Sequence, residues 1–243
     1  MKKETYHWFS SNLNKEMNLI SYGYYGYALL MFPTAESDYL EYENSQTIDC
    51  IGNFINSGAL KAYSINSITG ESWLNKDIAV VQKAILQQQY NKYIEEEVVP
   101  FINQHCGGSI PIIACGASIG AYLAVNAFFR RPDLFAGVIG LSGVYDLKEF
   151  TGGYFDDNCY FNSPVDFVSN LTDANILSEL RNKNIVIASG QGENEDPEAS
   201  KDFSVILHSK GINHWLDLWG HDMPHDWPSW QKMLPYFLEN INV

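Results

Sequence analysis

The pentapeptide Gly116-Ala117-Ser118-Ile119-Gly120 constrains this chain more than any other stretch of it. It follows an apolar run, Ile110 to Cys115, and precedes a helix-like stretch from Ala121 to Arg130. A G-x-S-x-G pattern between strand and helix marks a sharp turn in which the serine takes a strained backbone conformation. The flanking glycines remove side chains that would otherwise collide there. Ser118 would then stand at the head of a helix, where unpaired N–H groups and the positive dipole end stabilise negative charge developing on a nearby oxygen. Ser118 is therefore a candidate nucleophile. Small residues at this spacing also occur where a helix simply packs closely on a strand, so the reading needs partners for the serine.

The rest of the chain supplies alternating strands and helices. Tyr6 to Ser10 and Met17 to Tyr22 alternate aromatic and polar residues and read as an antiparallel pair. Tyr27 to Phe32 reads as a buried strand ended by Pro33. Ile48 to Asn56 has helical spacing that stops near Gly58, and Leu60 to Ile65 is another strand. Asp77 to Gln104 carries apolar residues at mostly helical spacing, with an interruption expected near Pro100. Further strands are expected at Ala136 to Leu141, Ile185 to Ser189 and Trp215 to Trp219, and helices at Ala199 to Ser209 and Trp230 to Leu238. Such alternation needs crossover connections, hence a mostly parallel central sheet with helices on both faces. With no Pro/Gly/Ser-rich linker, residues 1–243 are expected to form one α/β domain.

Composition excludes several function classes. A charged fraction of 18% with 46% hydrophobic residues fits a packed globule rather than a disordered or coiled-coil chain. The formal charge of -14 repels polyanions, so neither nucleic acid nor an acidic membrane face is an expected partner. The basic residues at the start have no apolar stretch of signal-peptide length behind them, and no segment is long enough to span a bilayer. A cytoplasmic location is the expectation. Cys50, Cys106, Cys115 and Cys159 lack the close pairing of a zinc or redox motif. Cys115, at the end of a buried-type strand, reads as packing. A homodimer is compatible with the aromatic content, which fills monomer cores equally well.

A serine hydroxyl of ordinary acidity needs an imidazole to take its proton and a carboxylate to orient that imidazole. His7, His105 and His208 lie in segments where surface exposure is the ordinary reading. His221 and His225 fall in the loop after the last strand, where an α/β hydrolase places its histidine. His225, held between Pro224 and Asp226-Trp227-Pro228, is the preferred base and His221 the alternative. His221, Asp222 and His225 also have the spacing of a metal-binding helix, but Pro224 and Gly220 argue against a helix there, and no metal is expected. The loop after the Ile185 strand offers three carboxylates, Glu193, Glu195 and Asp196. Spacing does not choose among them, and helix capping accounts for at least one.

With these residues assembled, the chain resembles the α/β-hydrolase superfamily, in particular an esterase D-related group of small bacterial esterases. The resemblance rests on Phe32-Pro33-Thr34, Glu71-Ser72-Trp73, Gly116 to Tyr122, Gly140 to Leu147, Gly190-Gln191-Gly192 and Pro224 to Pro228. It implies an α/β-hydrolase fold with Ser118 as nucleophile, His225 as base and Glu195 as acid, Asp196 and Glu193 standing behind it. Members of the group tend to carry a tryptophan where this chain has Asn194. The resemblance further implies one oxyanion N–H from Ile119 and a second from Thr34 or Ala35. The glycines common at that point in lipases are absent.

The activity implied is hydrolysis of a small carboxylic ester through an acyl-enzyme, with no metal or organic cofactor. The same three residues would serve a thioesterase or an acyltransferase, and a lapsed site would leave a noncatalytic binding or stress-associated protein. Trp73, Tyr145 and Trp227 are candidate walls of a substrate pocket, with core packing as the alternative.

Overall fold

The computed structural model describes residues 1–243, with eight strands in one sheet ordered β1-β2-β4-β3-β5-β6-β7-β8. β1 (Lys3–Ser10) and β2 (Lys15–Tyr22) form the antiparallel pair that their alternation predicts, and β2 also runs antiparallel to β4 (Leu60–Ile65). The other pairs are parallel: β4 with β3 (Tyr27–Phe32), then β5 (Ile112–Ala117), β6 (Gly137–Leu141), β7 (Asn184–Ser189) and β8 (Trp215–Leu218).

Parallel neighbours require crossovers, and the side-chain alternation of the strands decides what covers each face. On β3, Ala28, Leu30 and Phe32 join a core with Tyr90, Ile102, Tyr122 and Phe203. Those residues come from helices Val80–Tyr93, Val99–His105, Ile119–Arg130 and Pro197–Ser209. Leu29 and Met31 point the other way, into a second core with Ile48, Ile55, Met233 and Phe237 from helices Thr47–Cys50, Gly52–Ser57 and Trp227–Asn240. Burial on both faces is why β3 reads as a continuous apolar run.

Three stretches depart from the sequence expectation. Residues 48–56 are not one helix but parts of two short ones, preceded by Gln46 in the left-handed region at φ 65°. Pro100 does not break its helix; a π turn over Ile94–Val98 shifts the hydrogen bonding, and Val99 N–H donates to Ile94 five residues back. Between β6 and β7, where no element was expected, four short helices run over Lys148–Thr151, Asp157–Tyr160, Pro164–Ser169 and Ala174–Leu180. Buried amides hold this segment down: Asn162 Oδ1 accepts from Asn91 at 2.7 Å and from Asn126 at 3.0 Å, and its carbonyl accepts from Tyr122 at 2.9 Å.

His105 is not the surface histidine expected; its side chain is 18% exposed. Its ring lies 2.9 Å from Tyr6 Oη, 3.1 Å from Tyr63 Oη and 3.2 Å from the buried Lys61 ammonium, with Glu4 at 3.7 Å. Burial and the Lys61 charge outweigh Glu4 and lower its pKa below the ordinary 6.5. The unfolded chain therefore takes up this proton first, so stability falls as pH drops below about 6.5, until the folded value is passed. Melting temperatures between pH 7.5 and 5.5 should show this decline, and His105→Asn should flatten it.

Candidate active site

The site is built at the carboxyl ends of the parallel strands. Each strand's pairing continues one step into the next loop. Ser118 N–H donates to Leu141 O at 2.9 Å, Ser142 N–H to Ala188 O at 2.7 Å, and Trp219 N–H to Ser189 O at 2.9 Å. The tips of β5 to β8 are thereby held in step.

Ser118 sits between β5 and the helix Ile119–Arg130 with φ 56° and ψ -129°, a conformation that costs on the order of 1–3 kcal/mol for a residue with a side chain. The two glycines make it sterically affordable. A Cβ on Gly116 would stand 2.1 Å from Gly120 O, and one on Gly120 would stand 2.4 Å from Phe32 O. Below the turn, Cys115 is buried and its thiol is pushed up to about 12 by that burial, as packing requires.

His225 Nε2 lies 2.9 Å from Ser118 Oγ, and His225 Nδ1 lies 3.2 Å from Glu195 Oε2. The loops carrying Glu195 and His225 are zipped backbone to backbone: His225 N–H donates to Glu193 O at 2.9 Å and Gly192 N–H to Met223 O at 3.0 Å. A Cβ at Gly190 would meet Met223 O at 2.1 Å, which explains the Gly190-Gln191-Gly192 stretch. The imidazole packs edge-on against Trp230 at 5.1 Å.

The Glu195 side chain has no exposed surface. Burial alone raises a carboxyl's pKa, but here hydrogen bonds from His225, Ser142 and the Gly190 N–H, with the His225 charge, hold it below the usual carboxylate range. Ser142 Oγ donates to Glu195 Oε1 at 2.6 Å, and Ser189 Oγ to Oε2 at 3.2 Å. Trp230 Nε1 in turn donates to Ser142 Oγ at 3.0 Å. Sequence reasoning missed Ser142 and Ser189. The signal for Ser142 lay in the Ser142 to Leu147 stretch, whose serine adopts φ 50°.

The other candidates fall elsewhere. Asp196 caps the helix Pro197–Ser209, accepting from Glu198 N–H at 3.2 Å, and Glu193 is exposed. His221 is exposed with Nδ1 3.0 Å from Gln191 O, and no group of three metal-ligating side chains forms with it. Ile119 N–H, at the helix start, donates to no protein atom. Thr34 N–H is engaged: it donates to Glu41 Oε2 at 2.7 Å, which removes it from the two loop donors expected. Trp73, expected along a pocket, is 1% exposed and donates to Gln87, as a core residue does; Tyr145 is 2% exposed and stacks on Phe203, and it borders a cavity shared with Val144, Phe150 and Asp196. Trp227 is half-buried, edge-on to Tyr42 and Trp230.

Ser142→Ala should destabilise the protein by about 1.5–3 kcal/mol, the range for a lost hydrogen bond to a charged group. The Glu195 carboxyl, depressed in the folded state, contributes stability above its ordinary 4.5 that is lost as pH falls through its folded value. Without Ser142 that folded value rises, so acid unfolding followed by circular dichroism should begin at higher pH.

No helix is long and apolar enough to cross a membrane. None of the curated proteins matches the chain in sequence. Among solved structures, a ferulic acid esterase superposes with a TM-score of 0.76 at 17% identity, covering 98% of this chain and 95% of its own. An S-formylglutathione hydrolase from Staphylococcus aureus gives 0.73 at 16% identity, covering 98% and 95%. A fluorophosphonate-binding serine hydrolase from the same organism gives 0.70 at 16%, covering 98% and 97%. These likenesses establish the fold as that of the α/β-hydrolases. Residues 75–241 match the model of the family described as "Putative esterase", and the chain belongs to that esterase family.

Proposed function

We propose that this protein hydrolyses carboxylic esters of small molecules through an acyl-enzyme on Ser118. The observation that carries the reading is the unbroken hydrogen-bonded series from Ser118 Oγ through both nitrogens of His225 to the buried Glu195 carboxylate.

Glu195 accepts a hydrogen bond from Nδ1–H, which fixes the tautomer whose Nε2 lone pair faces Ser118. Ser118 Oγ attacks the ester carbonyl as His225 Nε2 takes its proton. Negative charge gathers on the former carbonyl oxygen, where Ile119 N–H and the helix dipole stabilise it. The intermediate collapses, His225 returns the proton to the departing alkoxide, and the alcohol leaves. Water, deprotonated by the same imidazole, then attacks the acyl-enzyme and releases the acid. No step calls for a metal or an organic cofactor.

A fluorophosphonate probe tests the reading, since its phosphorus is attacked by an activated serine and the adduct is stable. The wild-type protein should be labelled and should hydrolyse a panel of short acyl esters, and Ser118→Ala should do neither. A folded wild type that takes no label and turns over no ester would sink the esterase reading in favour of a noncatalytic binding protein.

A further inference from the structure

The turn that follows β3 lies beside the nucleophile. β3 and β5 pair in parallel with Phe32 opposite Gly116, so Thr34, two residues on, comes level with Ser118, two residues on from Gly116. The backbone oxygens of Phe32 and Pro33 abut Gly120 so closely that a Cβ there would lie 2.4 and 2.6 Å from them. The turn is therefore placed to offer a second donor to a substrate oxyanion.

Of the four residues from Pro33 to Glu36, which come level with Ser118 and the start of its helix, three are ruled out. Pro33 has no N–H. Thr34 N–H donates to Glu41 Oε2 at 2.7 Å, and Glu36 N–H donates to Thr69 Oγ1 at 3.2 Å. Of these four, Ala35 is the one whose N–H donates to no protein atom. The next residue, Glu36, holds φ 55° in the left-handed region, a conformation a non-glycine residue keeps only when its surroundings fix it. Glu41 holds residues on either side of Glu36. Besides Thr34 N–H, its carboxylate accepts from the Thr34 hydroxyl and from Ser37 Oγ, the latter at 2.6 Å. The neighbouring Tyr42 Oη donates to Phe32 O at 2.8 Å, tying down the end of the strand.

We infer that Glu41 is a positioning residue for catalysis: by gathering Thr34 and Ser37 it sets the turn so that Ala35 N–H is the second oxyanion donor alongside Ile119. The inference rests on the serine-esterase reading above and deepens it. Glu41 acts through hydrogen-bond acceptance at a fixed reach, and its charge is incidental. A carboxylate one methylene shorter does not span to Thr34 N–H, whereas an uncharged amide oxygen at full length does.

The test compares Glu41→Ala, Glu41→Asp and Glu41→Gln with wild type. It reads kcat and KM on one ester, the second-order rate of fluorophosphonate labelling, and the melting temperature. Loss of one oxyanion donor lowers kcat by about 10² to 10³-fold, and Glu41→Ala and Glu41→Asp should approach that loss with KM changed less than about threefold. Their labelling rates should fall in parallel, because the phosphonate oxygen uses the same donors. Glu41→Gln, which keeps an acceptor at full length, should recover kcat to within about tenfold of wild type. If Glu41→Ala fails to fold, the Asp and Gln variants still decide. Wild-type kcat in a folded Glu41→Asp, or an impaired Gln variant beside a normal Asp variant, overturns the inference while the esterase reading stands. A wild type that neither labels nor turns over removes the esterase reading and this inference with it.

Discussion

His225→Ala is expected to lower kcat by about 10⁴ to 10⁶-fold in a protein that still folds. The loss is large because Ser118 Oγ has no other base at hydrogen-bond distance. Without the imidazole the hydroxyl must lose its proton to water, and the departing alkoxide has no acid to protonate it. The fold should survive, because the side chain is 25% exposed, and Glu195 keeps its donors Ser142, Ser189 and Gly190. Some catalysis over water should persist from the Ile119 N–H and from binding. Steady-state kinetics on the best ester of a panel provides the measurement. A fall of less than tenfold in a folded variant would place the base elsewhere, with His221 next in the same loop.

Glu195→Gln should cost about 10³ to 10⁴-fold in kcat with little change in KM. The change is nearly isosteric, so the mechanism of the loss is specific. The carboxylate can only accept, and it faces the Nδ1 nitrogen at 3.2 Å. An amide turned to donate there would hold the ring in the opposite tautomer, with a proton on Nε2 directed at the nucleophile. Ser142 Oγ, at 2.6 Å, would lose its charged acceptor at the same time. Because the carboxyl's pKa is lowered, wild type should keep an ionised acid as pH falls through 4.5. Asp196→Asn, which alters only a helix cap, should lose at most about 1 kcal/mol of stability and leave kcat near wild type. If Asp196→Asn were the crippled variant instead, the acid would be misassigned.

What was legible in the sequence was whatever local chemistry fixes. The turn at Ser118 could be read because only glycine tolerates the contacts at 116 and 120, and the strands could be read because burial on both faces forces unbroken apolar runs. The loop after the last strand pointed to two histidines, and the stiff Pro224 to Pro228 setting favoured His225, whose ring lies beside Ser118, over His221. The three carboxylates took the structure to separate geometrically: Glu193, Glu195 and Asp196 share one short loop, and only the fold turns Glu195 inward while Asp196 caps a helix. The supports of the site were invisible, since Ser142 and Glu195 are 53 residues apart and nothing in a lone serine announces a buried carboxylate partner. The four short helices over 148–180 escaped for a related reason. Each is too short to display a period, and the buried Asn91, Asn126 and Asn162 that hold them are polar residues a pattern search assigns to the surface.

Trp230 touches the proposed proton-transfer chain twice, with its ring edge-on to His225 and its Nε1–H on the serine that braces Glu195. That gives the enzyme a built-in optical reporter. An acyl group on Ser118 stands against the imidazole on which Trp230 packs and changes the indole's surroundings, so emission should shift as each acyl group is loaded and return as it is released. In a stopped-flow trace the transient should vanish in Trp230→Phe, letting acylation and deacylation be timed on an unlabelled substrate.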